Sequence, residues 1–206
     1  MMSTLAHSDL VEIPDEALKP IPPRKLIKIA REAARDAQLI RRVASSFKER
    51  MGLKAGVPKF DVEVEENMMA NFRIIGDPDL IEQSVGCVID NAFKYSESDL
   101  THPTIRIHCL LELHSVTLSI MNKPLVGLEI DEDTRENCRQ RDWRSDAAKA
   151  CDADGTGLGL YLVDRIMIAH KGELRIYGTD ARGWNKFSLQ FPLKPAYEFK
   201  RDYIVT

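Results

Sequence analysis

The sequence lacks the apolar segments that mark a membrane-spanning chain. No run of apolar residues approaches the roughly 18 that a helix needs to cross a bilayer. The N-terminus also lacks the charged segment followed by an apolar one that forms a secretory signal peptide. We therefore expect that this segment makes no membrane contact and lies in the cytoplasm.

Cysteine is scarce, and its spacing follows no known pattern. The four cysteines form no Cys-x-x-Cys pair and have no metal-like spacing with the five histidines; they are Cys87, Cys109, Cys138 and Cys151. A reduced, cytoplasmic setting fits this composition best.

Positive charge is not in excess either. Lys and Arg number 29 against 32 Asp and Glu, which gives a formal net charge of −3. A protein that binds the nucleic-acid backbone needs clustered Lys and Arg, and acidic residues interrupt the basic cluster at positions 135–144. We expect no nucleic-acid partner.

The apolar content is sufficient for a sizeable core. The chain of 206 residues is 44% hydrophobic and 30% charged, which predicts one domain with extensions. A proline cluster at Pro20, Pro22 and Pro23 ends a predicted N-terminal linker segment, residues 1–22. The predicted domain spans residues 23–195, and residues 196–206 form a C-terminal tail.

Hydrophobic periodicity divides the domain into helices and strands. Apolar residues at three- and four-residue steps predict helices over 24–50, from near 79 to 96, and over 158–171. Alternating apolar residues predict strands at 60–64, 72–75, 104–113, 115–121, 174–176 and 187–191. Hairpins in place of regular βα alternation indicate an α/β fold, a two-layer sandwich.

Three glycines stand at every second position directly before the last predicted helix. Glycine lets the backbone pass close to a ligand and adopt positive φ, and the free N–H groups at a helix start favour an anion. This pattern predicts a phosphate-facing loop that consists of Gly155, Thr156, Gly157, Leu158, Gly159 and Leu160.

Asn91 and Lys94 end the helix that begins near Asp79, and they project from neighbouring parts of one helix face. An amide oxygen is a hard ligand suited to Mg²⁺, while a lysine can neutralise phosphate charge. Together with the glycine loop, the two residues predict a site for a magnesium-nucleotide complex.

These segments resemble a known family. The segment Asp90–Ser96 (DNAFKYS) resembles the N box of sensor histidine kinases, and Gly155–Leu160 (GTGLGL) resembles their G2 box. Both boxes belong to the GHKL ATPase superfamily. The resemblance implies the Bergerat-type ATP-binding fold, a mixed sheet with helices on one face, and it implies ATP and Mg²⁺ as ligands. By the same resemblance, Asn91 binds Mg²⁺, Lys94 contacts phosphate and Tyr95 lines the nucleotide pocket.

Two segments depart from the family pattern. Cys87 stands four residues before Asn91, where the family usually has another asparagine or an acid, and a cysteine cannot replace a hard oxygen ligand. In the G1 box, the register places Asn122 where the family has an aspartate that accepts a hydrogen bond from adenine. Asn122 keeps a carbonyl acceptor, Gly127 is the surviving glycine of this box, and Pro124 fixes φ where the family has a glycine.

From residue 122 to residue 154 the periodicity fails and charge rises, which suggests a mobile segment that covers a site. Trp143 falls where the family places an aromatic lid residue. It could dock on the body of the domain or be an ordinary core side chain, and the sequence leaves both open. Arg144 or Lys149 could reach the γ-phosphate of a bound nucleotide.

Phosphotransfer in this family needs a histidine on a separate helical hairpin. His7 lacks the surrounding residues, and the other four are expected to be structural: His102, His108, His114 and His170. The sequence therefore predicts the ATP-binding catalytic domain of a sensor histidine kinase. Its expected partners are a dimerisation hairpin of the same or a partner kinase and, downstream, the receiver domain of a response regulator. Two alternatives stay open, a degenerate nucleotide-binding module and a serine kinase of the anti-sigma type.

Overall fold

The computed structural model describes residues 11–50, 56–64, 71–99, 101–151 and 155–196. His7, with residues 1–10 of the predicted linker segment, and the predicted tail beyond Ala196 lie outside the described residues. None of the described helices combines the length and the apolar composition that a membrane span requires.

The described residues form helices and strands in the order that the periodicity indicates. The helices are α1 (Pro23–Arg50), α2 (Pro78–Lys94), α3 (Glu132–Asn137), α4 (Asp146–Cys151) and α5 (Gly159–Ala169). The strands are β1 (Lys19–Ile21), β2 (Phe60–Val64), β3 (Phe72–Gly76), β4 (Ile105–Leu111), β5 (Ser115–Asn122), β6 (Glu173–Tyr177), β7 (Asn185–Pro192) and β8 (Lys194–Pro195). A single 3-10 turn, Asp15–Ala17, precedes β1.

The main sheet has five strands in the order β2-β4-β5-β7-β6. Only the β2–β4 pair is parallel, and the other three pairs are antiparallel. The predicted hairpin of β4 and β5 is confirmed, with Ile107 opposite Ile120. The sheet is therefore mixed, as the family resemblance implies.

Three helices cover one face of this sheet. α1 and α5 pack on either side of α2, while α2 contacts β5 and α5 contacts β6 and β7. The facing side chains are almost completely buried; they include Ile81, Val85, Val88, Ile89, Ile105, Ile107, Leu118, Ile120 and Leu189. Burial of these apolar surfaces between the layers is the main stabilising contribution. The predicted two-layer α/β sandwich with helices on one face is confirmed.

A second, three-stranded sheet joins the two ends of the domain. Its order is β1-β3-β8, with Lys19 opposite Gly76 and Arg73 opposite Lys194. The end of the predicted linker segment thus pairs in a sheet. Pro20 is tolerated there because β1 is an edge strand, where a missing N–H breaks no ladder.

The start of α2 is fixed by its sequence. Asp77 is the N-cap, and its carboxylate accepts hydrogen bonds from the N–H groups of Asp79 (2.9 Å) and Leu80 (3.3 Å). Pro78 at the first helical position has the φ that a helix needs. This cap fixes the first residue of α2. It thereby also helps to determine which residues lie in the last turn of the helix.

Candidate functional site

A cavity of about 300 Å³ lies between α2, the start of α5 and the connection from β5 to α5. All the predicted binding residues except Leu158 line it; they are Asn91, Lys94, Tyr95, Asn122, Gly127, Gly155, Thr156, Gly157, Gly159 and Leu160. The side chain of Leu158 is 37% exposed and lies outside this lining. The fold thus gathers around one space residues that are far apart in sequence.

The last turn of α2 forms one wall of the cavity. Tyr95 is the C-cap of α2, and its N–H donates to the Asn91 carbonyl at 3.1 Å. Asn91 is therefore inside the helix, and among the described residues its amide side chain has no hydrogen-bond partner. Lys94 lies beside Tyr95, with its Nζ 5.5 Å from the centre of the ring. The amide of Asn91 and the cation of Lys94 both line the same end of the cavity.

The glycine loop faces this wall. A Cβ on Gly159 would lie 3.9 Å from Nδ2 of Asn91, so the two predicted boxes are adjacent. Gly157 has φ +72°, which favours glycine. A Cβ there would also lie 2.8 Å from the backbone carbon of Asp142. Glycine at position 157 is therefore required both by the turn and by the close approach of residue 142.

The sheet supplies the other wall through two asparagines. Asn122 at the end of β5 lies directly opposite Asn185 at the start of β7. Their exposed fractions are 2% and 4%, and both line the cavity. Nδ2 of Asn185 donates to the Leu128 carbonyl (3.0 Å), and its Oδ1 accepts from Thr179 Oγ1 (2.5 Å). The amide of Asn122 makes no such bond within the part of the chain that the structure describes.

The connection after β5 is held on both sides of the cavity. On one side, Leu125 N–H donates to the Tyr95 carbonyl at 2.9 Å. On the other, Ile130 N–H donates to Thr179 Oγ1 at 2.7 Å. Between these two points Gly127 has φ +83°, a conformation that glycine adopts without strain. The backbone near Gly127 thus has a defined path along the cavity.

Asn185 and Thr179 were not predicted as site residues. A signal for Asn185 exists in the alternation of β7, because inward-facing positions continue from Leu189 and Phe187 to residue 185. A polar residue at an inward position of a buried strand needs a partner. Thr179 and the Leu128 carbonyl satisfy Asn185, whereas its neighbour Asn122 faces the cavity.

The segment predicted to cover the site contains two short helices, α3 and α4. We call residues 131–151 the lid. Arg144 donates from Nη1 to the Gly155 carbonyl and from Nη2 to the Ala148 carbonyl, each at 2.7 Å. The guanidinium therefore joins the lid to the glycine loop. Trp143 is half-buried and lines the cavity, which favours the docked-lid interpretation over a core side chain.

Lys149 does not line the cavity. It is exposed and forms an ion pair with Asp146 at 3.1 Å within α4. Of Arg144 and Lys149, which were predicted to reach the γ-phosphate, Arg144 borders the site, and here it contacts backbone carbonyls.

Two cysteines also line the cavity. Burial raises the pKa of the Cys87 thiol, and the charge of Asp90 raises it further. Burial likewise raises the pKa of Cys138 to about 11, although Arg139 partly opposes the shift. Both thiols are therefore protonated at neutral pH. Cys87 packs against the core as a small apolar side chain.

Residues 76–195 match the model of a family described as histidine kinase-, DNA gyrase B- and HSP90-like ATPases. The sensor-like histidine kinase SenX3 of Mycolicibacterium smegmatis is 24% identical over 149 residues, which are 72% of this chain and 37% of that protein. The sensor histidine kinase CusS of Escherichia coli is 28% identical over 120 residues, which are 58% of this chain and 23% of that protein. The chain thus spans well under half the length of these two relatives.

Two solved structures share the fold. A mycobacterial sensor histidine kinase MprB has a TM-score of 0.57 at 21% identity and covers 86% of this chain and 99% of its own. The catalytic domain of the histidine kinase ThkA also has a TM-score of 0.57, at 18% identity, and covers 85% of this chain and 97% of its own. The match extends over nearly the whole described domain.

Proposed function

We propose, because the chain belongs to the family of histidine kinase-, DNA gyrase B- and HSP90-like ATPases, that it is the ATP-binding catalytic domain of a sensor histidine kinase. One observation carries this proposal. The cavity brings Asn91 and Lys94 of α2, the glycine loop and the buried Asn122 around one space. Asn91 suits the metal of Mg-ATP, Lys94 and the glycine loop suit the phosphates, and Asn122 suits the base.

The residues fit such a ligand in chemical terms. The amide of Asn91, which has no partner among the described residues, would hold Mg²⁺, and phosphate oxygens and water would complete its shell. Lys94 and the N–H groups of the glycine loop would hold the phosphates. When bound, Mg-ATP supplies the γ-phosphoryl group, and the cation offsets the charge on the phosphates.

The phosphoacceptor in this proposal is a histidine on another segment. Both ring nitrogens of His170 are hydrogen-bonded inside the core, and His102 and His114 are exposed at turns away from the cavity lining. This chain would therefore position the phosphates for a histidine nitrogen of a dimerisation hairpin, in the same or a partner kinase. A response regulator receiver would then take the phosphoryl group.

A second candidate is supported by Cys87. Its protonated thiol lines the cavity one helical turn before Asn91. A neutral thiol offers neither a hard ligand for Mg²⁺ nor a carboxylate base. A domain that binds nucleotide and signals through its lid without phosphotransfer would tolerate this residue.

Labelled Mg-ATP separates the two candidates. The chain would be incubated with labelled nucleotide, with and without a separately expressed hairpin that carries the acceptor histidine. Acid-labile label on the hairpin supports the kinase. Nucleotide binding by titration with no label on the hairpin supports the binding module, and no binding at millimolar Mg-ATP contradicts both.

A further inference from the structure

The sheet wall of the cavity holds a buried amide. The exposed fraction of Asn122 is 2%. Its side-chain amide has no hydrogen-bond partner among the described residues. A buried amide without a partner is costly. The cavity that it lines is therefore where its donor and its acceptor can be satisfied.

Asn185 and Asn122 differ in whether their neighbours fix the orientation of the side-chain amide. The Leu128 carbonyl can only accept, so it fixes Nδ2 of Asn185 towards itself and Oδ1 towards Thr179. Asn185 thus has one orientation. No described group imposes an orientation on Asn122, which lies directly across the ladder. Its amide can turn about χ2 to present either Oδ1 or Nδ2 to a ligand.

The two ends of an amide suit two kinds of purine. Adenine carries a 6-amino donor, and guanine and hypoxanthine carry a 6-oxo acceptor. A carboxylate at this position accepts only, so it pairs with the 6-amino group and repels a 6-oxo group. An amide can accept from the first, through Oδ1, or donate to the second, through Nδ2.

We propose that Asn122 makes the nucleotide site permissive, so that it binds 6-oxo purine nucleotides as well as adenine nucleotides. This inference rests on the proposed nucleotide-binding function of the same cavity. According to this inference, the selectivity for the base depends on the side chain of Asn122, and the bound ligand determines the orientation of that amide. Asn91 and Lys94, which are proposed to hold the metal and the phosphates, are expected to act alike on both nucleotides, because the triphosphate is the same in both.

The test compares Mg-ATP with Mg-inosine triphosphate, which differs from ATP only at this edge of the base. Calorimetric titration of the whole chain is expected to give dissociation constants for the two that agree within about tenfold. Asn122→Asp is expected to weaken inosine triphosphate relative to ATP by roughly 10- to 100-fold, because two acceptors then face each other.

Asn71→Asp is the matched control, since it makes the same amide-to-carboxylate change in an exposed side chain outside the cavity lining. It is expected to change both affinities by the same factor and to leave their ratio as in the parent. A parent chain that binds ATP and rejects inosine triphosphate by more than about 100-fold overturns the inference and leaves the proposed function intact. A ratio that Asn122→Asp does not change overturns it as well. Failure to bind either nucleotide overturns the proposed function, and the inference falls with it.

Discussion

The backbone N–H of Asp77 donates a hydrogen bond of 3.0 Å to Nε2 of His170, which joins the start of α2 to the end of α5. The other ring nitrogen, Nδ1, donates to the Ile166 carbonyl at 2.7 Å. A carbonyl only accepts, so Nδ1 carries a proton, while Nε2 accepts from the Asp77 N–H. The ring leaves no room for a Cβ at Gly76, which would lie 2.4 Å from Cδ2 of His170. The expectation that His170 is structural is confirmed.

We predict that His170→Ala lowers the free energy of unfolding by about 2–4 kcal/mol, because Asp77 loses its acceptor and a cavity replaces the ring. Urea denaturation followed by circular dichroism measures the change. The control is His114→Ala, which removes an exposed ring and should change stability by no more than about 0.5 kcal/mol. Equal losses in the two variants would contradict the structural role of the ring.

A second prediction concerns the buried thiol of Cys109 on β4. Its exposed fraction is 1%, and burial raises its pKa from 9.0 to about 11. The unfolded thiol therefore loses its proton at lower pH than the folded one. Stability is at its full value below pH 9 and falls as pH rises to 11, by about 2–3 kcal/mol in total.

Denaturation curves at several pH values between 8 and 11 measure this loss against the variant Cys109→Val, which cannot ionise. The parent is expected to lose stability more steeply than the variant. Cys151→Val serves as the control because Cys151 is exposed, and its curve should run parallel to that of the parent. A Cys109→Val curve that is equally steep would contradict the predicted contribution.

The periodicity of the sequence was sufficient where a segment has one buried face. In α2, the residues Ile81, Val85 and Val88 recur at helical spacing and are all buried. The hairpin of β4 and β5 follows in the same way from alternation. These patterns predicted the layers because each element contacts the core through one side.

Features that depend on a distant partner were not predictable in this way. β1 and β8 have three and two residues, too few for a pattern, and they exist because β3 pairs with both. The end of α5 gives a second example. The left-handed residue there is Lys171, with φ +57°, and Gly172 is required because a Cβ would lie 2.5 Å from the Gln190 carbonyl oxygen.

The candidate site shows the same division. Local motifs identified Asn91, Lys94 and the glycine loop, because the residues of each motif stand close together in sequence and their types and spacing indicate metal and phosphate binding. The network of Asn185 with Thr179 and the Leu128 carbonyl joins three separate segments. Only the strand register, which places Asn185 opposite Asn122, brings this network to the cavity.

The third prediction is that Arg144→Ala loosens the lid without unfolding the domain. The guanidinium donates to the carbonyls of Gly155 and Ala148, and alanine removes these hydrogen bonds. Hydrogen exchange of residues 131–151 should accelerate while that of α2 is unchanged. Arg144→Lys should not restore the parent rate, because one ammonium lacks the planar fork that spans two carbonyls. Lys149→Ala, which removes an exposed ion pair, is the control and should leave exchange unchanged.

The fourth prediction tests Asn91 as the metal ligand. Asn91→Ala should abolish magnesium-dependent nucleotide binding and leave the circular dichroism spectrum intact, because the side chain faces the cavity and has no partner among the described residues. Titrations with and without Mg²⁺ measure this. Asn71→Ala removes an exposed amide outside the cavity lining and should bind as the parent does. Unfolding of Asn91→Ala would instead indicate a role in the end of the helix.

The fifth prediction concerns catalysis. We expect no stable phosphorylation of the chain alone, because His170 is held inside the core and the other described histidines lie outside the cavity lining. With a hairpin from the same kinase, acid-labile phosphohistidine should form on the hairpin.

Cys87→Asn should then raise the rate of phosphorylation if the thiol in the cavity limits the geometry of metal or water. The reason is that an amide oxygen can bind Mg²⁺, whereas a neutral thiol cannot. Cys138→Asn is the matched control, because it makes the same change on the lid side of the cavity. If neither the parent nor Cys87→Asn labels the hairpin while both bind nucleotide, the kinase proposal is wrong and a nucleotide-gated interaction module takes its place.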